Sequence, residues 1–181
     1  MGNRGGAIHD GQCRIVRPFH NRRWIACVLE FRGRRRQVMS PGRYTELFFL
    51  DEAVALAAGH RPCAECRRER FNAFKRAWKA DGPILAPEID AELHRARIDL
   101  QGRKITWSAS LETLPEGCFL QLEDSAYLLW RKNLLLWMPE GYASKQSMPR
   151  GLTVAVLTPR PIVECLRRGY QPQIHDSAFA L

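Results

Sequence analysis

The sequence predicts an α+β protein: a small sheet plus helices around a Cys-x-x-Cys turn, followed by a β-rich second module, a curled sheet or partial barrel. Three observations carry that prediction. Two helical patterns, at residues 53–58 and from about 67, are separated by a short turn holding Cys63 and Cys66. From Lys104 onward the hydrophobic period changes from helical to strand-like. Charge is also split: residues 1–79 carry 17 Lys/Arg against 7 Asp/Glu, whereas residues 80–181 carry 11 against 12.

In chain order, residues 1–11 are Gly-rich and read as a loose arm. Residues 12–18 read as a short strand that Pro18 cuts off. Residues 24–31, rich in aromatic and β-branched side chains, make a stronger strand. A turn and basic run at Gly33-Arg34-Arg35-Arg36 follows, with residues 37–39 pairing back as a hairpin. Residues 44–50 are a further strand feeding a helix over 51–58, with Asp51 at its N-cap and Gly59 at its end. The next helix, with Phe71, Phe74 and Trp78 on one face, ends near Asp81-Gly82-Pro83. Pro87 starts another, with Ile89, Leu93, Ala96 and Leu100 on one face, ending at Gly102. Beyond it, residues 105–107, 118–122, 127–130, 134–138 and 152–157 read as strands. Residues 131–133 form a tight turn, residues 139–142 close that unit, and a last helix follows Pro161. The expected organisation is a basic module at 1–80, a helical connector at 81–104 and a β-rich module at 105–181.

An apolar fraction of 45% with 26% charged residues is that of a globular domain, and excludes a disordered chain. No run of about 18 apolar residues occurs, and residues 1–11 lack the apolar core of a secretory signal. The expected location is therefore cytoplasmic, where six cysteines serve as thiols or ligands rather than disulfides.

Cysteines three apart on a turn stiffened by Pro62 supply half of a tetrahedral zinc site, so Zn2+ is the expected cofactor. The alternatives are buried idle thiols, or a redox pair, which needs a thioredoxin-like βαβ context absent here. For the other half, Cys27 and His20 flank Trp24 and are the chosen candidates, with Cys13 and His60 as further options. Cys27 fits a plain core position equally well, and Cys118 and Cys165 read as core thiols.

Phe48-Phe49-Leu50-Asp51-Glu52-Ala53 followed by Ala57-Ala58-Gly59-His60-Arg61-Pro62-Cys63-Ala64-Glu65-Cys66-Arg67 resembles the second half of the Ada-type metal-binding domain, over residues 44–68. That family is the zinc module of bacterial alkylation-repair and adaptive-response regulators. The resemblance implies zinc held by Cys63 and Cys66 and a link to DNA repair or regulation. The family keeps an upstream Cys-x-x-x-Cys that includes a methyl acceptor. Here the corresponding stretch is Met39-Ser40-Pro41-Gly42-Arg43, without cysteine, so phosphotriester methyl transfer is not implied.

A basic first half suggests a polyanion partner, with DNA ahead of RNA. Arg22, Arg23, Arg34, Arg35, Arg36, Arg43, Arg61, Arg67 and Arg68 are the candidate phosphate contacts, since arginine forks match phosphate oxygens. The bland counterpart is a solvated basic face, with the interleaved aromatics as core. Catalysis is left open: no His-Glu-x-x-His, Gly-x-Ser-x-Gly or phosphate loop is present. Two rival classes remain, a metal-assisted nuclease or hydrolase, and a protein-interaction module docking through the Trp130–Trp137 hairpin. No membrane partner is expected.

Overall fold

In the computed structural model, residues 1–33, 37–79 and 82–181 are described. The basic run Arg34, Arg35 and Arg36, and part of the expected break at 81–83, lie outside them. Strand β1 (Gly2–Arg4) pairs antiparallel with β2 (Trp24–Ala26), Asn3 opposite Ile25. Strand β3 (Arg61–Pro62) adds to the other edge of β2 in parallel, Ile25 opposite Arg61 and Ala26 opposite Pro62. The result is a small mixed sheet, in the order β1-β2-β3.

Several expectations for this half fail on local hydrogen bonding. The arm at 1–11 is built in rather than loose: it supplies β1, buries Ile8, and packs Phe49 where any side chain on Gly2 would stand. Residues 12–18 form no strand. The Asp10 carboxylate accepts the N–H groups of Gln12 and Arg14 at 2.9 and 3.0 Å, and this turn leaves a single bridge between His9 and Ile15. The strand expected over 24–31 shortens to three residues, because its partners β1 and β3 are themselves only three and two residues long. Residues 37–39 and 44–50 are not strands; Leu47 makes one isolated bridge, to Gly2.

The helices follow the sequence more closely. Helix α1 (Glu52–Ala57) is capped by Asp51, which accepts the Val54 N–H at 2.9 Å. It ends at Gly59, whose φ of +80° and contact with the Arg97 side chain both exclude a Cβ. Helix α2 (Arg68–Trp78) buries Phe71, Phe74 and Trp78. Helix α3 (Ala86–Arg97) buries Ile89 and Leu93 but stops short of Gly102. There the Asp99 carboxylate accepts the N–H groups of Gln101 and Arg103, both at 2.9 Å, and diverts the chain into a loop that leaves Leu100 fully exposed.

The second half is a six-stranded antiparallel sheet: β4 (Trp107–Ser110), β5 (Phe119–Leu122), β6 (Ser125–Trp130), β7 (Asn133–Met138), β8 (Gly141–Ser147) and β9 (Thr153–Val156). Its order is β4-β9-β5-β6-β7-β8, an open sheet that is not closed or curled into the expected barrel. Arg131 and Lys132, both at positive φ, make the β6–β7 turn. Helix α4 (Arg160–Arg167) closes the fold. Alternation along β6 sends Leu129 into a cluster with Leu56, Phe74, Ile89 and Ile162, and Leu128 into one with Ala53, Ala57 and Tyr142. Both sheet faces are thereby covered by α-helical or C-terminal segments, and α1 contributes to each cluster. Among the described residues no helix is long and apolar enough to cross a membrane.

Candidate metal centre

The site follows from strand register. With Ile25 opposite Arg61 and Ala26 opposite Pro62, the next pair along the parallel ladder is Cys27 and Cys63. The Cys63 N–H donates to the Ala26 carbonyl at 2.9 Å and holds them there. The chain then turns through Ala64 and Glu65, and the Arg67 N–H donates back to the Cys63 carbonyl at 3.2 Å, so Cys66 returns to its partner. The ligand atoms of Cys27, Cys63 and Cys66 all lie within 4.8 Å of one another. This is a three-cysteine cluster that could bind a metal ion such as zinc.

The donor set fits that ion. Zinc–sulfur bonds of about 2.3 Å imply tetrahedral sulfur separations near 3.8 Å, which these side chains reach by closing at most about an ångström. The Glu65 N–H already donates to Cys63 Sγ at 3.4 Å, a contact that favours a thiolate and orients the sulfur. Without a metal the three thiols share protons unequally. The Cys27 thiol donating to it, and then the N–H groups of Cys66 and Glu65, bring Cys63 down to about 5. Cys27 is raised, first by that same hydrogen bond and then by burial; Cys66 is raised chiefly by burial. Cys63 is thus the thiol readiest to ionise, and an ion would displace the protons the cluster holds.

The fourth tetrahedral position is not filled by a protein ligand within the cluster, among the described residues. A cavity of about 490 Å³ lies beside the sulfurs, lined by all three cysteines together with Ile25, Glu46 and Glu65. Glu46 is buried and accepts the Met39 N–H at 2.8 Å.

The other expected ligands stand elsewhere. His20 is exposed and its ring lies against Gly6, outside the cluster. His60 is fully buried, 4.7 Å from the Phe49 ring and 5.3 Å from the Trp24 ring; burial, then Arg4 and Arg97, holds it well below the usual histidine range. Cys13 is exposed, and Cys118 and Cys165 are buried in the core.

The arginines divide by environment. Arg22, Arg23, Arg43 and Arg68 are exposed. Arg61 is 4% exposed and donates Nε and Nη2 to the two Asp90 oxygens, both at 2.8 Å, so its fork faces a carboxylate rather than solvent. Arg67 leans on Glu52, a buried carboxylate that also takes Arg70 and the Tyr170 hydroxyl. Sequence reasoning gave these two internal roles no signal, because Asp90 and Glu52 pair with them across the fold.

No protein-family model matches the chain, and neither a curated protein nor a solved structure matches it.

Proposed function

We propose that the protein is a zinc-binding, nucleic-acid-binding protein. Its Arg-Pro-Cys-x-x-Cys turn resembles the Ada-type modules of DNA repair and regulation, and it lacks their phosphotriester methyl acceptor. The convergence of Cys27, Cys63 and Cys66 on the β2–β3 ladder carries the zinc half of this reading. The nucleic-acid half is supported by the excess of arginine in residues 1–79 and by the exposure of Arg22, Arg23, Arg43 and Arg68. Residues 1–80 act as the module that faces the polyanion, 81–104 as a connector and 105–181 as the sheet module. The cytoplasm suits it, since thiols stay reduced there. The test is elemental analysis joined to binding of mixed-sequence duplex DNA across a salt series. Stoichiometric zinc with salt-sensitive binding supports the reading; zinc-free protein, or no binding at low salt, overturns the corresponding half.

A second reading, a metal-assisted nuclease or hydrolase, is favoured by one observation: the three sulfurs line a cavity that also holds Glu46 and Glu65. A zinc with three protein ligands would supply Lewis-acid activation of a fourth ligand there. The interaction-module alternative draws less support, since Trp130 and Trp137 are half-buried rather than exposed and Trp130 packs edge-on against Phe179.

A further inference from the structure

A second cavity, of about 280 Å³, is lined by Arg4, Trp24, Arg97 and Lys104 together with Phe119, Trp137 and aliphatic side chains. Among the described residues, none that lines it is acidic. Arg97 is only 1% exposed, yet among the described residues it has no carboxylate partner. Its Nη1 and Nη2 donate to the carbonyls of Gly59 and Arg22 at 2.8 and 2.7 Å, and its guanidinium lies 3.9 Å from the Trp24 ring centroid. Arg4 stacks on the same ring at 4.5 Å. Asp90, whose charge acts on Arg97, is already held at both oxygens by the Arg61 guanidinium. Lys104 turns its ammonium inward to the Ala57 carbonyl at 2.7 Å. Burial, with Arg4 and Arg61 nearby and against the pull of Asp90, pushes Arg97 down to about 9.

Among the residues that line this cavity, Arg4 and Arg97 each bury an Nε, and Trp24 and Trp137 each bury an indole N–H, with no hydrogen-bond partner among the described residues. Proteins rarely bury donors or cations this way unless something pairs with them. A neutral apolar ligand would leave the charges unmatched, and a bare inorganic anion would leave the walls of Phe119, Trp137 and Leu157 without a partner. We propose that this cavity is a binding site for a small aryl anion, a flat ring bearing a carboxylate or phosphomonoester. The anion pairs with Arg97, Arg4 and Lys104, and the ring lies against Phe119 and Trp137. The volume sits at the small end of ligand pockets, which limits the ligand to about one ring system. This site is distinct from the cysteine cluster: none of the three cysteines lines it.

The test is calorimetric titration of the purified full chain with four probes: benzoate, phenyl phosphate, benzamide and inorganic phosphate. Benzoate or phenyl phosphate should bind one-to-one with a dissociation constant of about 1 mM or tighter, and the stronger of the two identifies the anion. Benzamide and inorganic phosphate should each bind at least about tenfold more weakly, lacking either the charge or the ring. Lys104→Gln, at an exposed residue of the lining, should weaken the preferred probe about tenfold while leaving zinc content unchanged. Arg97→Met goes deeper; Lys104→Gln keeps the test decisive if that variant does not fold. The proposal is overturned if neither aryl anion binds, if benzamide or inorganic phosphate binds equally well, or if Lys104→Gln binds as the wild type does. Zinc content and DNA binding are read separately, so a failure here leaves the metal centre standing.

Discussion

The guanidinium of Arg61 lies on the carboxylate of Asp90 through two parallel hydrogen bonds of 2.8 Å, and both residues are buried. Asp90 stands on α3 and Arg61 opens β3, so the pair ties that helix to the strand that delivers Cys63 to Cys27. Removing one member of a buried pair leaves the other charge stranded, which costs about 3–5 kcal/mol. Asp90→Ala should therefore lower unfolding free energy by about that much in urea, with apparent zinc affinity falling alongside. A loss under about 1 kcal/mol would show that the fork is not needed to hold β3.

Thiol reactivity should resolve six cysteines into three classes. Cys13 is exposed and should react first in the zinc-loaded protein. Cys27, Cys63 and Cys66 should become reactive only when a chelator removes the ion. Cys118 and Cys165 are fully buried, burial pushes each up to about 12, and they should react only after denaturation. Mass spectrometry of timed alkylation gives the count directly. Early labelling of Cys63 in untreated, zinc-containing protein would contradict this order.

The parts of the fold that local patterns specify are the parts the sequence reveals. Asp51, Phe71, Phe74, Ile89 and the Arg131-Lys132 turn each act within their own element, so α1, α2, the start of α3 and the β6–β7 hairpin are readable. Strand β1 is not, because Gly2-Asn3-Arg4 has neither alternation nor β-branched residues; only its pairing with β2 makes it a strand. Strand β8 is an edge strand whose residues 143–147 are solvent-facing and, after Ala143, all polar, so its apolar signal is confined to Tyr142 and Ala143. Asp10 and Asp99 ended expected elements through side-chain turns that hydrophobic periodicity does not register. At the candidate metal centre the Cys63–Cys66 half is local and legible. Cys27 could be named as a candidate but not separated from a core thiol, because its approach to Cys63 depends on a parallel pairing between distant segments.

Nucleic-acid affinity should fall steeply with salt. About four to six phosphate contacts imply a log–log slope of roughly −4 to −5 on duplex DNA. Neutralising Arg22, Arg23 and Arg43 together should flatten it by up to about three units, and the same change at Arg34, Arg35 and Arg36 should act similarly. Arg61 belongs to neither set because its fork is buried on Asp90. A slope unchanged in both triple variants would remove the basic face from the account.

Incubation with alkylated DNA should leave the intact mass unchanged. Residues 39–43 hold no cysteine at the place where the proposed Ada-type reading would put a methyl acceptor, and Met39 there is tied by its N–H to Glu46. A one-methyl gain mapped to Cys27 or Cys13 would show that another thiol has taken that role.

The most direct measurement is the zinc content of purified wild-type protein beside Cys27→Ser, Cys63→Ser, Cys66→Ser and His20→Ala. The wild type should carry about one zinc, each cysteine variant should lose most of it, and His20→Ala should keep it. Stoichiometric zinc surviving in a Cys63→Ser/Cys66→Ser double variant, or a Cys27→Ser protein that binds zinc as tightly as the wild type, would contradict the three-cysteine centre.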